Sequence, residues 1–218
     1  MSAARALVFD LDGTLIDSRA DLAAAINRTR AELGLAPLAL DAVVGMVGEG
    51  ARLLVSRALD GLEGAALDRA LARFLDHYGP RCTVETRPYP GISGLLAAEA
   101  ARRPLALLTN KPERTSRAIL DAFGWNGHFA AVVGGDTLPV RKPDPGGLAW
   151  IAGHLGRPLT DLVLVGDTRI DADTALAAGC PFVWVEWGFA RPDDRAELAR
   201  HPRAANAAEL AARLAETG

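Results

Sequence analysis

Five short apolar runs punctuate the chain, and each ends in a polar or glycine-bearing turn. The first, Arg5 to Asp10, carries Ala-Leu-Val-Phe and breaks into the acidic turn Asp10-Leu11-Asp12-Gly13-Thr14. Such runs are apolar throughout rather than alternating, which predicts strands covered on both faces. The other four are Pro104 to Thr109, Ala131 to Gly134, Asp161 to Gly166 and Pro181 to Glu186. Stretches with helical spacing separate them, as parallel β-α-β units require. The expected fold is therefore α/β, a doubly wound, Rossmann-like parallel sheet with the first strand central and helices on both faces.

The long gap after the first strand has a different pattern. From Asp17 to about Tyr78 the chain is rich in Ala, Leu and Arg at 3.6-type spacing, broken at Gly34, Pro37 and the Gly45 to Gly50 segment. No strand pattern occurs there, so this is a helical insertion. Thr86-Arg87-Pro88-Tyr89-Pro90-Gly91 then stiffens the return, because two prolines fix φ and restrict the residues before them. One hinge strand is expected there and its mate near Leu15 to Ser18. The resulting division is a core of residues 1–15 and 83–218 and a small α-helical cap of residues 16–82. The alanine-rich tail, Ala204 to Leu214, reads as a surface helix.

Composition narrows the partners. With 218 residues, half of them hydrophobic, the chain can bury a substantial core. It has no apolar run of membrane-spanning length, and Arg5 with the acidic motif behind it spoils a secretory signal, so a cytoplasmic protein is expected. Cys82 and Cys180 lie in unrelated contexts without metal-binding spacing and read as packed thiols. The formal charge of −3 is mild and the cations are scattered. That pattern gives no footprint for nucleic acid or membrane and favours a small-molecule partner, for a monomer or homodimer.

Four polar clusters follow strand ends: Asp10-Leu11-Asp12-Gly13-Thr14-Leu15, Thr109-Asn110-Lys111, Lys142-Pro143-Asp144-Pro145 and Gly166-Asp167-Thr168-Arg169-Ile170-Asp171. Singly, the last three are ordinary turn and helix-start sequences. In this order, each after a strand, they share one sheet edge, where open α/β sheets bind ligands. Order and setting resemble the D-x-D phosphatases of the haloacid dehalogenase-like superfamily, in which four such motifs build one phosphate site. Phosphoryl transfer needs a nucleophile, neutralised equatorial oxygens and a proton for the leaving group. Asp10 can supply the nucleophile, and Asp12 the acid and later the base. Mg2+ takes oxygen ligands, which Asp10, the Asp12 carbonyl and Asp167 offer. Asp171 either supports the metal through water or caps a helix. Thr109 and Asn110 can bind phosphate, while Lys142 places a charge on it and on Asp10.

The second acid, Asp12, sets the chain apart from dehalogenases, and no D-x-A-G-T pattern suggests a phosphonatase. Val47-Gly48-Glu49-Gly50-Ala51, the Thr86 to Gly91 return and Gly134-Gly135-Asp136-Thr137-Leu138 resemble bacterial phosphoglycolate phosphatases. The resemblance implies hydrolysis of 2-phosphoglycolate to glycolate and phosphate through a phospho-aspartyl enzyme. Gly48, Gly50 and Arg52 are candidate substrate contacts in the cap, with a hinge glycine and a solvated arginine as the open alternatives. The family usually has Tyr-Gly-Tyr-Asn after the last strand, where this chain has Trp187-Gly188-Phe189-Ala190. That departure bears on substrate identity. Another small-metabolite or sugar-phosphate phosphatase, or a mutase, shares the same core residues. A receiver-like signalling module also uses Asp, Thr and Lys, but it has no long cap after the first strand.

Overall fold

The structure, a computed structural model, describes residues 5–216. The chain enters through β1 (Ala6–Phe9), turns, and forms the two-residue β2 (Ile16–Asp17). Four helices follow: α1 (Arg19–Glu32), α2 (Leu40–Val44), α3 (Ala51–Ala58) and α4 (Gly64–Tyr78). It returns through β3 (Arg87–Pro88), which pairs antiparallel with β2, Ile16 opposite Pro88 and Asp17 opposite Arg87. Then come α5 (Ile92–Ala100), β4 (Leu105–Leu108), α6 (Glu113–Ala122), β5 (Phe129–Val133) and α7 (Gly146–Leu155). The last third holds β6 (Leu162–Gly166), α8 (Arg169–Ala178), β7 (Phe182–Val185), α9 (Arg195–Leu198), β8 (Arg203–Ala204) and α10 (Ala207–Ala215).

The main sheet has the order β5-β4-β1-β6-β7-β8, and its pairs are parallel. Phe9 of β1 lies opposite Leu107 on one side and Val165 on the other. The chain winds outward from β1 through β4 to β5, then crosses back and winds outward again through β6, β7 and β8. The reversal falls at β1, so a crevice opens beyond its carboxyl end.

Alternating residues of each strand feed two layers. Leu7, Phe9, Leu107, Val163 and Val165 point into one, and Ala6, Val8, Leu108, Leu162 and Leu164 into the other. The first layer runs without a break through Leu11, Leu15 and Ile16 into the helical insertion, where Ile26, Val55 and Phe74 are buried. In α4, Leu67, Ala70, Phe74 and Tyr78 recur at helical spacing and are buried, and α4 packs against α1. Among the described residues, no helix is long and apolar enough to cross a membrane. Cys82 and Cys180 are buried free thiols.

The tail adds a strand to the expected helix. Ala204 belongs to β8, where it pairs with Val185, and α10 buries Leu210 and Leu214 completely. The expected surface helix is present, exposed over most of its length and docked on the core by those two leucines, while β8 ahead of it is what the sequence did not show. A strand of two residues has too few positions to show periodicity, and alanine enrichment masks the two leucines that anchor the helix.

Buried Asp21 on α1 fastens the insertion to its return path. Its carboxylate accepts from the main-chain N–H of Glu85 (3.0 Å) and of Thr86 (2.9 Å) and from the Thr86 hydroxyl (2.8 Å). Asp21→Ala strips these donors of a buried acceptor, and a loss of about 2 to 4 kcal/mol of unfolding free energy is expected in urea titrations. A change below about 0.5 kcal/mol, the size seen at ordinary surface sites, would mean that this tie does not hold the junction.

Candidate active site

The first acidic loop is shaped by hydrogen bonds and a glycine. The Asp10 N–H donates to Val165 O (3.0 Å), which extends the β1 ladder by one residue before the turn. Gly13 then adopts φ +84° and donates to Ile16 O (2.9 Å). A β-carbon at Gly13 would lie 2.1 Å from Asp167 Oδ2, so the turn needs glycine for conformation and for room.

Around that turn the structure gathers Asp10, Asp167 and Asp171, whose carboxylates lie within 4.8 Å of one another. Lys142 Nζ sits 2.8 Å from Asp10 Oδ1 and 2.6 Å from Asp171 Oδ1. Asp171 also accepts from the Thr168 N–H (3.0 Å) and hydroxyl (2.8 Å) in a capping box at the start of α8. It therefore takes the helix-cap role left open by the sequence and also belongs to the charged cluster. Asp167 accepts from the Thr14 hydroxyl (3.0 Å) and the Phe189 N–H (2.6 Å).

Burial and crowding set the charges. Burial pushes the Asp10 carboxyl up to about 6, with Asp171 adding repulsion and Lys142 opposing the shift. Burial, then Asp171 and Asp10, push Asp167 well above the ordinary carboxylate value. Burial works against the charge on Lys142 too, yet Asp10 and Asp171 hold it above the usual lysine value. If all three carboxylates ionised together, the one ammonium would leave two negative charges uncompensated, which is the charge their raised values resist. Hard oxygen donors with that excess suit a divalent cation such as Mg2+.

Asp12 belongs to a second group. Its carboxylate accepts from the Ser18 hydroxyl and from Lys111 Nζ, at 2.8 and 2.9 Å, and Lys111 also donates to the Tyr78 hydroxyl (2.6 Å). The sequence motif contained Lys111 but pointed to no role for it, and Tyr78 carried no signal beyond its place on an apolar helix face. Lys111 and Tyr78 are 33 residues apart and Lys111 and Asp12 are 99 apart, so only the fold pairs them.

Above both groups lies a cavity enclosing about 610 Å3, open solvent at its mouth included, and lined by Asp10, Asp12, Thr109, Asn110, Gly48 and Gly50 among others. The Asn110 amide donates to Gly48 O (3.0 Å) in the insertion and to Lys142 O (2.9 Å) in the core, which spans the two parts. At Gly50, with φ +96°, a β-carbon would press within 3.2 Å of Asn110 O. Arg52 takes the solvated alternative: it pairs with Asp68 (2.6 Å) on the exposed side of the insertion and does not line the cavity. Near the start of α3 the backbone turns its side chain outward, which leaves Ala51 and Leu54 facing the cavity. In the divergent loop, Trp187 Nε1 donates to Thr14 O (3.2 Å) and Phe189 lines the cavity.

A family model described as haloacid dehalogenase-like hydrolase matches residues 4–179. The phosphoglycolate phosphatase of Rhodospirillum rubrum is 45% identical over 196 residues, which cover 86% of this chain and 81% of the relative. That of Mesorhizobium japonicum is 41% identical over 188 residues, covering 84% and 83%. The crystal structure of a predicted phosphoglycolate phosphatase from Haemophilus somnus matches with a TM-score of 0.88 at 30% identity, over 96% of this chain and 97% of that one. On sequence and on fold alike, the chain belongs to the haloacid dehalogenase-like hydrolases.

Proposed function

We propose that the protein is a magnesium-dependent phosphatase that hydrolyses 2-phosphoglycolate to glycolate and phosphate through a phospho-aspartyl intermediate on Asp10. One observation carries the reaction: Asp10 faces the cavity beside Lys142, while Asp12, two residues on, faces the same cavity and is held by Ser18 and Lys111. Asp10 attacks phosphorus, the ester P–O bond breaks, and Asp12 gives its proton to the departing glycolate oxygen. In the second half, Asp12 takes a proton from the water that attacks the acyl phosphate, and the bond from phosphorus to Asp10 breaks. Thr109 and Asn110 orient the phosphate, and Lys142 balances its charge.

Asp10, Asp167 and the Asp12 carbonyl would hold Mg2+, with Asp171 behind them, and the bound ion would neutralise charge on the phosphoryl oxygens. The helical insertion, residues 16–82, acts as a lid that keeps bulk water off the site and limits substrates to small esters. The choice of 2-phosphoglycolate is supported by the relatives at 45% and 41% identity that bear that name. We place the enzyme in the cytoplasm, as a monomer or homodimer.

Asp10→Asn removes the nucleophile at nearly constant volume, and a fall in kcat of at least about 10^4-fold is expected in phosphate-release assays. Turnover within a few-fold of wild type would transfer the nucleophile to another residue.

A second expectation follows from the carboxyl of Asp10, raised from 3.8 to about 6. Between those values the folded chain binds more protons than the unfolded one, so the metal-free protein loses stability as pH rises through that window. Mg2+ binds the ionised carboxylates, so its stabilising shift in Tm should be larger at about pH 7.5 than at about pH 5. Asp167→Asn should abolish most of that shift. Equal Mg2+ shifts at both pH values, or an undiminished shift in the variant, would place the ion elsewhere.

A further inference from the structure

We infer that Lys111 and the insertion residue Tyr78 together form the subsite that binds the substrate's carboxylate, which makes the enzyme selective for phosphate esters of α-hydroxy acids. This rests on the proposed reading of the substrate and assigns its second charged group to a place.

The cavity has a phosphate end, at Asp10 and Thr109, and walls that are largely apolar, with Leu22, Leu54, Phe74 and Phe189 among them. A carboxylate entering such a space beside Asp10 and Asp12 would be rejected unless a cation met it. Among the described residues that line the cavity, Lys111 is the only one with a cationic side chain. Lys111 is paired with Asp12 but faces the cavity, whereas Arg52, Arg191 and Arg19 lie outside the lining and pair at the surface with Asp68, Glu49 and Asp17. Arg141 approaches Gly50 but is exposed and lies outside the lining.

Position agrees with charge. Asp12 must reach the ester oxygen to protonate it, and Lys111 Nζ lies 2.8 Å from Asp12 Oδ1. In a glycolyl group a single methylene separates the carboxylate from that ester oxygen, so the two are about one hydrogen-bond length, ~3 Å, apart. A cation touching the general acid is therefore within reach of a carboxylate at that carbon. Tyr78 Oη accepts from Lys111 and keeps its own proton, which has no acceptor among the described residues. Both groups are buried, Tyr78 at 2% exposure, where a charge-assisted hydrogen bond has most effect. Lys111 comes from the core and Tyr78 from α4 of the insertion, so the subsite is whole only when the two parts are apposed as they are here.

The test compares kcat/KM for 2-phosphoglycolate with that for 2-hydroxyethyl phosphate, a primary ester of similar size with a hydroxymethyl group in place of the carboxylate. Wild-type enzyme should favour the carboxylate. Tyr78→Phe, which keeps the ring and its packing, should lower the ratio of the two values about tenfold, mainly through the KM for 2-phosphoglycolate. Lys111→Met should lower the ratio about a hundredfold, beyond any loss common to both substrates from the loosened Asp12. If both variants lower the two substrates equally, Lys111 and Tyr78 only position Asp12 and the inference falls while the substrate reading stands. A wild-type enzyme that does not distinguish the two esters overturns the substrate reading and this inference with it.

Discussion

Three carboxylates buried around a single ammonium govern this molecule. Like charges within 4.8 Å repel strongly in a low-dielectric interior, so the surrounding chain is built to hold them there. Gly13 and Gly188 lack side chains where a β-carbon would come within 2.1 and 2.3 Å of Asp167 Oδ2. Thr14 and the Phe189 N–H donate to Asp167, and the start of α8 donates to Asp171. The central place of β1 follows from the same need, because its end must supply Asp10 midway between the loops after β4 and β6.

That arrangement also explains the loop at Trp187 to Ala190, which differs from the usual family sequence. Its two indispensable contacts with the cluster are a main-chain N–H at Phe189 and the absence of a side chain at Gly188. Neither depends on whether aromatic hydroxyls flank the glycine. The loop can exchange polar for apolar side chains on its cavity side while its backbone continues to hold Asp167.

The parallel sheet was legible because strands buried on both faces are written as continuous apolar runs, and the acidic and basic motifs because each follows such a run. Asp10, Asp12, Thr109, Asn110, Lys142, Asp167 and Asp171 do converge. What the sequence hid has physical causes. Tyr78 looks like any core residue of an amphipathic helix until its hydroxyl is seen against Lys111. Arg52 reads equally as a ligand or a solvated arginine, and only the phase of α3 turns it to solvent and Asp68. The two-residue β8 is shorter than any window in which alternation can be read.

The pairing of Ile16 with Pro88 and of Asp17 with Arg87 brings both ends of the helical insertion to one spot. Because its ends already meet, the hinge strands themselves set no length for the insertion. Closing a longer loop there adds only a slowly growing entropy cost, about 0.6 kcal/mol per doubling of its length. The acidic cluster and most of the cavity's apolar roof are thus written on separate stretches of one gene, with Lys111 and Phe189 of the core completing the lining. Recombination at two nearby points in space can exchange the second without rebuilding the first.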